Sequence, residues 1–282
     1  MNVDLFGEKI ETNPLLRDKF IEPPFSVLDT KSGNWQRRKN LWKKLGIKSE
    51  LGRDASVINM DTKAKEKNKT NYTSIFDPAL CEVLYHWFVN ENGSILDPFA
   101  GGSVRGIVAN YLGYKYTGIE LRPEQVESNR EQALDILEVN NQPQWYVGDS
   151  NKVLNELNKQ YDFVFSCPPY ANLEVYSKIE GDISNMNYID FLNAYESIIE
   201  KSCKLLKKDG FACFVVGEVR DEKGNYIGFV PDTIKAFQKC GMSFYNEAIL
   251  LNSIASASMR ANGNMKSKKL VKIHQNILIF KK

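Results

Sequence analysis

The chain has 282 residues, 43% of them hydrophobic and 26% charged, the balance of a soluble globular protein with one large core or a core plus extensions. No apolar run approaches the roughly 20 residues that a membrane span needs, and the first residues lack a basic-then-apolar secretion signal. Five scattered cysteines (Cys81, Cys167, Cys203, Cys213 and Cys240) with no CxxC pair argue against a zinc site and a disulfide framework, so a reducing cytoplasm is the expected compartment.

The net charge of +2 is unevenly spread. Between Trp35 and Thr70 there are 11 Lys/Arg against 4 Asp/Glu, and from Asn252 onward 7 Lys/Arg and no acid, so two basic segments flank an acidic body. Such segments are either solvated surface or a split phosphate-binding face. Residues 1–72 are rich in aromatic, proline and basic residues and hold one predicted helix over 34–45. Asn34 is its expected cap, and Leu41 and Leu45 share one face. The lysine-rich run 61–71 reads as a mobile loop.

From about Tyr72 apolar strands alternate with helices, the pattern of an α/β sheet covered on both faces. A helix from Pro78 to Val89, capped by Asp77, leads into a strand over 94–98. A helix (103–112), strand (115–120), helix (123–138), strand (144–148) and short helix (150–159) follow. Next come a strand (162–166), a long helix (188–207), a strand (211–219) and a helix (231–240). The last two strands, 243–251 and 274–282, have no helix between them, which predicts an antiparallel pair. The basic stretch 255–272 that joins them is expected to be flexible.

Two constellations carry chemistry. In "ILDPFAGGSVRG" a strand ending at Asp97 runs through a glycine loop into a helix, a geometry that suits a polar or anionic nucleoside. The following strands end in Glu120, 23 residues after Asp97, and in Asp149. An acid at the first position can accept ribose hydroxyls, and one at the second an adenine amino group. The loop has neither the lysine of a P-loop nor the full G-x-G-x-x-G of a dinucleotide site. The fourth strand ends in "SCPPY", Ser166 to Tyr170. Consecutive prolines stiffen the turn and remove N–H donors, leaving outward carbonyls that can accept from an exocyclic amine. Tyr170 offers a face for base stacking. Glu218 and Arg220 in "VVGEVRD" either border this site or pair with each other.

Together, "LDPFAGGS", Glu120, Asp149 and "SCPPY" resemble the S-adenosylmethionine-dependent amino-methyltransferases of DNA, the N6-adenine and N4-cytosine class. "SIFDPALCEVLYHWF" (74–88) is similar to the segment before the cofactor loop in that class, and "HQNILIFKK" to its closing strand. The order FIEPPFSVLDT, SIFDP, LDPFAGGSVRG, SCPPY, VVGEVRD resembles a phage or prophage subgroup. The resemblance spans roughly residues 20–282 and implies a Rossmann-like class I methyltransferase sheet of seven strands. Its order is 3-2-1-4-5-7-6 with strand 7 antiparallel, and residues 1–72 form an N-terminal extension to a catalytic domain over 73–282. It implies that Phe99, Gly101 and Ser103 line the methionine part of the cofactor and that Asp97 sits at its amino-acid end. Ser166 belongs to the same set, Glu120 holds the ribose, Asp149 the adenine, and Phe76 and Asp77 close the pocket. Cys167, Pro168, Pro169 and Tyr170 clamp and activate the base, with no metal required.

Cys167 departs from the Asp, Asn or Ser that the family places before the two prolines, and sulfur is a weak acceptor. A rival reading makes it a nucleophile for pyrimidine C5 methylation, and a third makes it a small residue filling a turn. The implied partner is DNA, contacted through phosphates by Arg37, Arg38, Lys43 and Lys44 and by Arg260, Lys266, Lys268 and Lys269. RNA or another planar amine or amide is the alternative substrate, and a non-catalytic nucleic-acid-binding protein the alternative class. A homodimer is allowed, and neither a restriction partner nor the target base can be read from the residues.

Overall fold

Alternating apolar residues build one sheet with two buried faces, seen in a computed structural model that describes residues 15–47, 76–170, 179–252, 254 and 257–282. The elements in chain order begin with α1 (Leu16–Phe20), β1 (Val27–Asp29), α2 (Gly33–Lys44), α3 (Pro78–Phe88), β2 (Ser94–Asp97) and α4 (Val104–Tyr111). Then come β3 (Lys115–Glu120), α5 (Pro123–Ile136), β4 (Gln144–Val147), α6 (Ser150–Val153), β5 (Tyr161–Ser166) and α7 (Tyr188–Leu205). The chain finishes with β6 (Leu206–Val216), α8 (Phe229–Lys239), β7 (Ser243–Leu251), α9 (Ala257–Lys266) and β8 (His274–Lys281). The predicted mobile run 61–71 lies outside the described residues. Among the described residues no helix is long and apolar enough to cross a membrane.

The sheet has eight strands in the order β1-β7-β8-β6-β5-β2-β3-β4. Without β1 this is the expected seven-strand order. β8 runs antiparallel to both β6 and β7, and the remaining pairings are parallel. Successive residues serve opposite faces. Ile95, Phe163, Phe165, Cys213, Val215, Ile277 and Ile279 join the core beneath α3, α4 and α5. Leu96, Val164, Ala212, Phe214, Val216, Leu278 and Phe280 join the core beneath α7 and α8. Each fully buried large side chain contributes about 1.5–3 kcal/mol.

The N-terminal segment is stitched into this body. β1 adds a parallel edge strand through Val27↔Ile249 to Asp29↔Leu251, and Thr30 Oγ1 donates to Leu251 O at 2.6 Å. α2 differs from its expected form. Ser32, not Asn34, caps it, accepting from Trp35 N at 3.2 Å. Its buried face is Trp35 and Trp42, seven residues or two turns apart, while Leu41 and Leu45 face solvent. Both indoles are held by acids at or on α3. Trp35 Nε1 donates to Asp77 at 3.2 Å and Trp42 Nε1 to Glu82 at 3.0 Å, and Arg38 pairs with Glu82 at 2.7 Å. Glu82→Ala strips the acceptor from a buried indole and the partner from Arg38. The expected loss is about 1–3 kcal/mol in urea unfolding, and an unchanged midpoint would mean that α2 is not anchored there.

The stretch 255–272, expected to be flexible, contains α9. Glu218 and Arg220 neither line the cavity at the carboxyl ends of the strands nor pair with each other among the described residues. Glu218 accepts from Gly228 N at 3.0 Å and Phe229 N at 2.9 Å, capping α8, where a carboxylate also meets the positive end of the helix dipole. Arg220 lies over the Tyr226 ring at 4.0 Å and donates to Gly224 O at 2.7 Å.

Candidate active site

The carboxyl ends of β2, β3, β4 and β5 open into a cavity of about 450 Å³, where an α/β sheet is expected to hold its ligand. Beneath its floor lies a knot around Asp97, which is fully buried. Its carboxylate accepts from Arg105 Nε at 2.6 Å, Tyr116 Oη at 2.7 Å, Ser166 Oγ at 2.5 Å and Phe99 N at 3.1 Å. Arg105 also donates to Phe99 O at 2.6 Å and Ala100 O at 2.8 Å, and stacks over Phe76 at 4.6 Å. Burial works against the guanidinium charge, but Asp97, as charge and as hydrogen-bond partner, together with Tyr116 and Cys167 outweighs it, so the Arg105 pKa lies above its ordinary value. Burial and then Asp97 push the Tyr116 phenol well above its usual range, which keeps it a donor.

The glycine loop rests on this knot. Gly101 has φ +52°, donates to Glu120 Oε2 at 3.0 Å, and has its carbonyl bound by Asn129 Nδ2 at 2.8 Å. A Cβ at Gly118 would stand 2.8 Å from Ala100 Cβ, so only glycine lets the loop lie on β3. Glu120 Oε1 accepts from Arg122 N at 3.0 Å, which fixes the carboxylate at the strand end. Asp149 caps α6 through Asn151 N at 2.8 Å, with Gly181 packed against it.

Phe76, Asp77, Phe99, Gly101, Glu120, Asp149, Cys167, Pro168, Pro169 and Tyr170 all line the one cavity. Cys167 is half-buried. Tyr170 meets Phe229 edge-on with ring centroids 5.6 Å apart, and its hydroxyl lies beside Gly217. Asp97, Ser103 and Ser166 are not among the lining residues. Ser103 Oγ donates to Gln132 at 2.9 Å, and Ser166 is spent on Asp97. Asp77 lines the wall with its carboxylate committed to Ala79 N, Trp35 and Lys39.

Several lining residues were not singled out from the sequence. Thr30, Gln36 and Lys39 reach the cavity from the N-terminal segment, Asn252 from just after β7, Gln275 from β8, Arg105 from α4, and Arg122 and Asp182 from loops. Only Arg105 left a local signal, a cation eight residues after a strand-end acid. The basic residues sit apart from the cavity floor. Arg37, Lys43 and Lys44 are exposed on α2, with Arg37 donating to Asn34 at 3.0 Å, while Arg38 is engaged with Glu82. Arg260 and Lys266 on α9, and Lys268 after it, are exposed, and Lys269 lies against the turn at Gly224.

Residues 15–131 match a family model described as DNA methylase. No curated protein matches the chain in sequence. A candidate RNA methyltransferase from Pyrococcus horikoshii shares the fold at 17% identity and a TM-score of 0.52, over 88% of this chain and 98% of that one. TrmN from Thermus thermophilus aligns at 12% identity and a TM-score of 0.49 over 73% of this chain and 49% of its own, so the chain spans about half the length of that protein. A magnesium protoporphyrin IX methyltransferase from Synechocystis PCC 6803, crystallised with bound SAM, aligns at 13% identity and a TM-score of 0.46, over 73% and 79% of the two chains. With its strand order and its one antiparallel strand, the sheet is the class I methyltransferase fold, and over residues 15–131 the chain is similar to the DNA methylase family.

Proposed function

We propose that the chain transfers a methyl group from S-adenosylmethionine to the exocyclic amine of a DNA base, N6 of adenine or N4 of cytosine. The observation that carries this reading is the single cavity shared by Glu120, Asp149, the Gly101 loop and the Pro168-Pro169-Tyr170 turn. The residues present fit the cofactor. The cavity volume lies within the usual range for small-molecule sites, and two successive strand ends present carboxylates, Glu120 to ribose hydroxyls and Asp149 to an adenine amine. When bound, S-adenosylmethionine supplies an electrophilic methyl group.

The rest of the chemistry belongs to the chain. An aromatic amine is a poor nucleophile because its lone pair is delocalised into the ring, so the protein must localise it. The base enters unstacked, from single strands or flipped out of a duplex. The Pro168 carbonyl, with no competing N–H on either proline, accepts one amino hydrogen, and Cys167 stands where the second is accepted. Sulfur makes that second bond weak. Tyr170 stacks on the base, with its own ring braced by Phe229. Orientation and fixed dipoles supply the rate. Asp97, Arg105, Ser103 and Ser166 act from below by holding the loop and turn in place.

The exposed cations of α2 and α9, Arg37, Lys43, Lys44, Arg260, Lys266 and Lys268, are read as phosphate contacts that give affinity without sequence choice. The Arg260→Ala/Lys266→Ala/Lys268→Ala chain is expected to flatten the slope of log affinity against log salt by about 3. An unchanged slope would remove α9 from the interface. RNA is the second reading, favoured by the description of the Pyrococcus horikoshii protein as an RNA methyltransferase. Calorimetry with S-adenosylmethionine followed by labelled methyl transfer to DNA and tRNA tests both. Saturable binding with label in DNA is expected, and absence of binding would refute methyl transfer altogether. A cytoplasmic location, where DNA and the cofactor meet, belongs to the same reading.

A further inference from the structure

The cavity has a second half, away from Glu120 and Asp149. In the sheet order, β3 and β4 with their acids lie on one side of β2 and β5, and β8 and β7 lie on the other side beyond β6. The turn at Cys167 to Tyr170, at the end of β5, divides the two. On the far side the lining includes Gln36, Asn252 and Gln275. Gln275 pairs with Leu250 across the β7–β8 ladder, and Asn252 N donates to Ile273 O at 2.9 Å, so the two residues are diagonal neighbours, two positions apart, at the end of the ladder. Both are half-buried, and among the described residues neither side-chain amide has a hydrogen-bond partner. Gln36 spends its N–H on Thr30 O and keeps its oxygen for another donor.

We propose that Asn252 and Gln275, assisted by Gln36 from the N-terminal segment, read the edge of the target base. The ligand class is a nucleobase whose amino group adjoins an unprotonated ring nitrogen. This rests on the amino-methyltransferase reading above. When the turn takes the amino hydrogens, the neighbouring ring nitrogen keeps a lone pair that needs a donor. A carboxylate cannot donate and an ammonium cannot accept, whereas a carboxamide presents a donor and an acceptor side by side. A phosphate would call for unpaired cations, yet Lys39, the lysine in this half, is paired with Asp77 at 2.9 Å. The N-terminal segment thereby becomes part of the substrate pocket as well as a surface for phosphates.

The test compares steady-state methyl transfer to mixed-sequence single-stranded oligonucleotides containing adenine or cytosine with transfer to the same strands carrying 1-deazaadenine or 3-deazacytosine. The deaza bases keep the amine and lose the ring nitrogen. The unmodified chain is expected to lose on the order of ten- to a hundred-fold in kcat/KM on the deaza form of its target. Gln275→Glu, which keeps the shape and loses the donor, and Asn252→Ala are expected to fall similarly on the natural base. They should discriminate the deaza base by less than about two-fold, with S-adenosylmethionine affinity in calorimetry unchanged. Variants that discriminate as strongly as the unmodified chain, or that lose cofactor affinity in parallel, would overturn the assignment. Absence of transfer by the unmodified chain to either natural base would instead overturn the reading on which the assignment rests, and the assignment with it.

Discussion

Arg105→Ala is expected to destabilise the fold by about 3–5 kcal/mol, read as a large fall in the urea midpoint. The guanidinium side chain is 6% exposed and its partner Asp97 is 0% exposed. Removing the cation leaves a carboxylate buried with only neutral donors, Tyr116, Ser166 and the Phe99 amide, and strips the carbonyls of Phe99 and Ala100. Those carbonyls belong to the glycine loop, so affinity for S-adenosylmethionine should fall with stability. Lysine keeps the charge without the planar fork and cannot reach the acid and both carbonyls together, so Arg105→Lys should recover only part of the loss. The Asp97→Leu/Arg105→Met chain removes both charges and should be more stable than Arg105→Ala. A loss under about 1 kcal/mol for Arg105→Ala would mean that the knot does not hold the loop.

Tyr170→Ala is expected to cut methyl transfer by about 5- to 150-fold, the range that corresponds to one stacked base at 1–3 kcal/mol. The ring lines the cavity from the turn after β5, whereas the acids come from the ends of β3 and β4, so cofactor affinity should change by less than about two-fold. Tyr170→Phe keeps the stacking face and its edge contact with Phe229 and should retain most activity. A parallel loss of cofactor affinity in Tyr170→Ala would place the ring against the cofactor and not the base.

The core strands were open to reading as apolar runs between helices, and their order was what the family resemblance implies. The last two strands are antiparallel as expected, but not for the expected reason, because α9 does lie between β7 and β8 and only the pairing itself defines their direction. The eighth strand was not open to reading. Val27–Asp29 is three residues long and pairs with Ile249–Leu251, more than 200 residues away, so only the completed sheet edge defines it. The buried face of α2 is Trp35 and Trp42 and not Leu41 and Leu45, because acids at Asp77 and Glu82, supplied by a later element, receive the indole N–H groups.

The site was legible in its acids and in its turn, since Glu120, Asp149 and Pro168 to Tyr170 stand at strand ends where the fold places ligands. Asp97 looks the same in sequence and differs in fate, because Arg105 folds back from α4 and claims it. Glu218 likewise ends a strand, but the first amides of α8 come to meet it. In both cases the partner is supplied by a later element, and the strand alone carries no trace of it. Asn252 and Gln275 carry no motif, and their place on the cavity follows from the way β7 and β8 meet.

The central claim is that an exocyclic amine, held by the Pro168 turn and Tyr170, is the methyl acceptor. Nucleoside mass spectrometry of DNA incubated with the chain and labelled S-adenosylmethionine tests it most directly. The account predicts label in N6-methyladenine or N4-methylcytosine, whereas 5-methylcytosine, or label in tRNA with none in DNA, would contradict it.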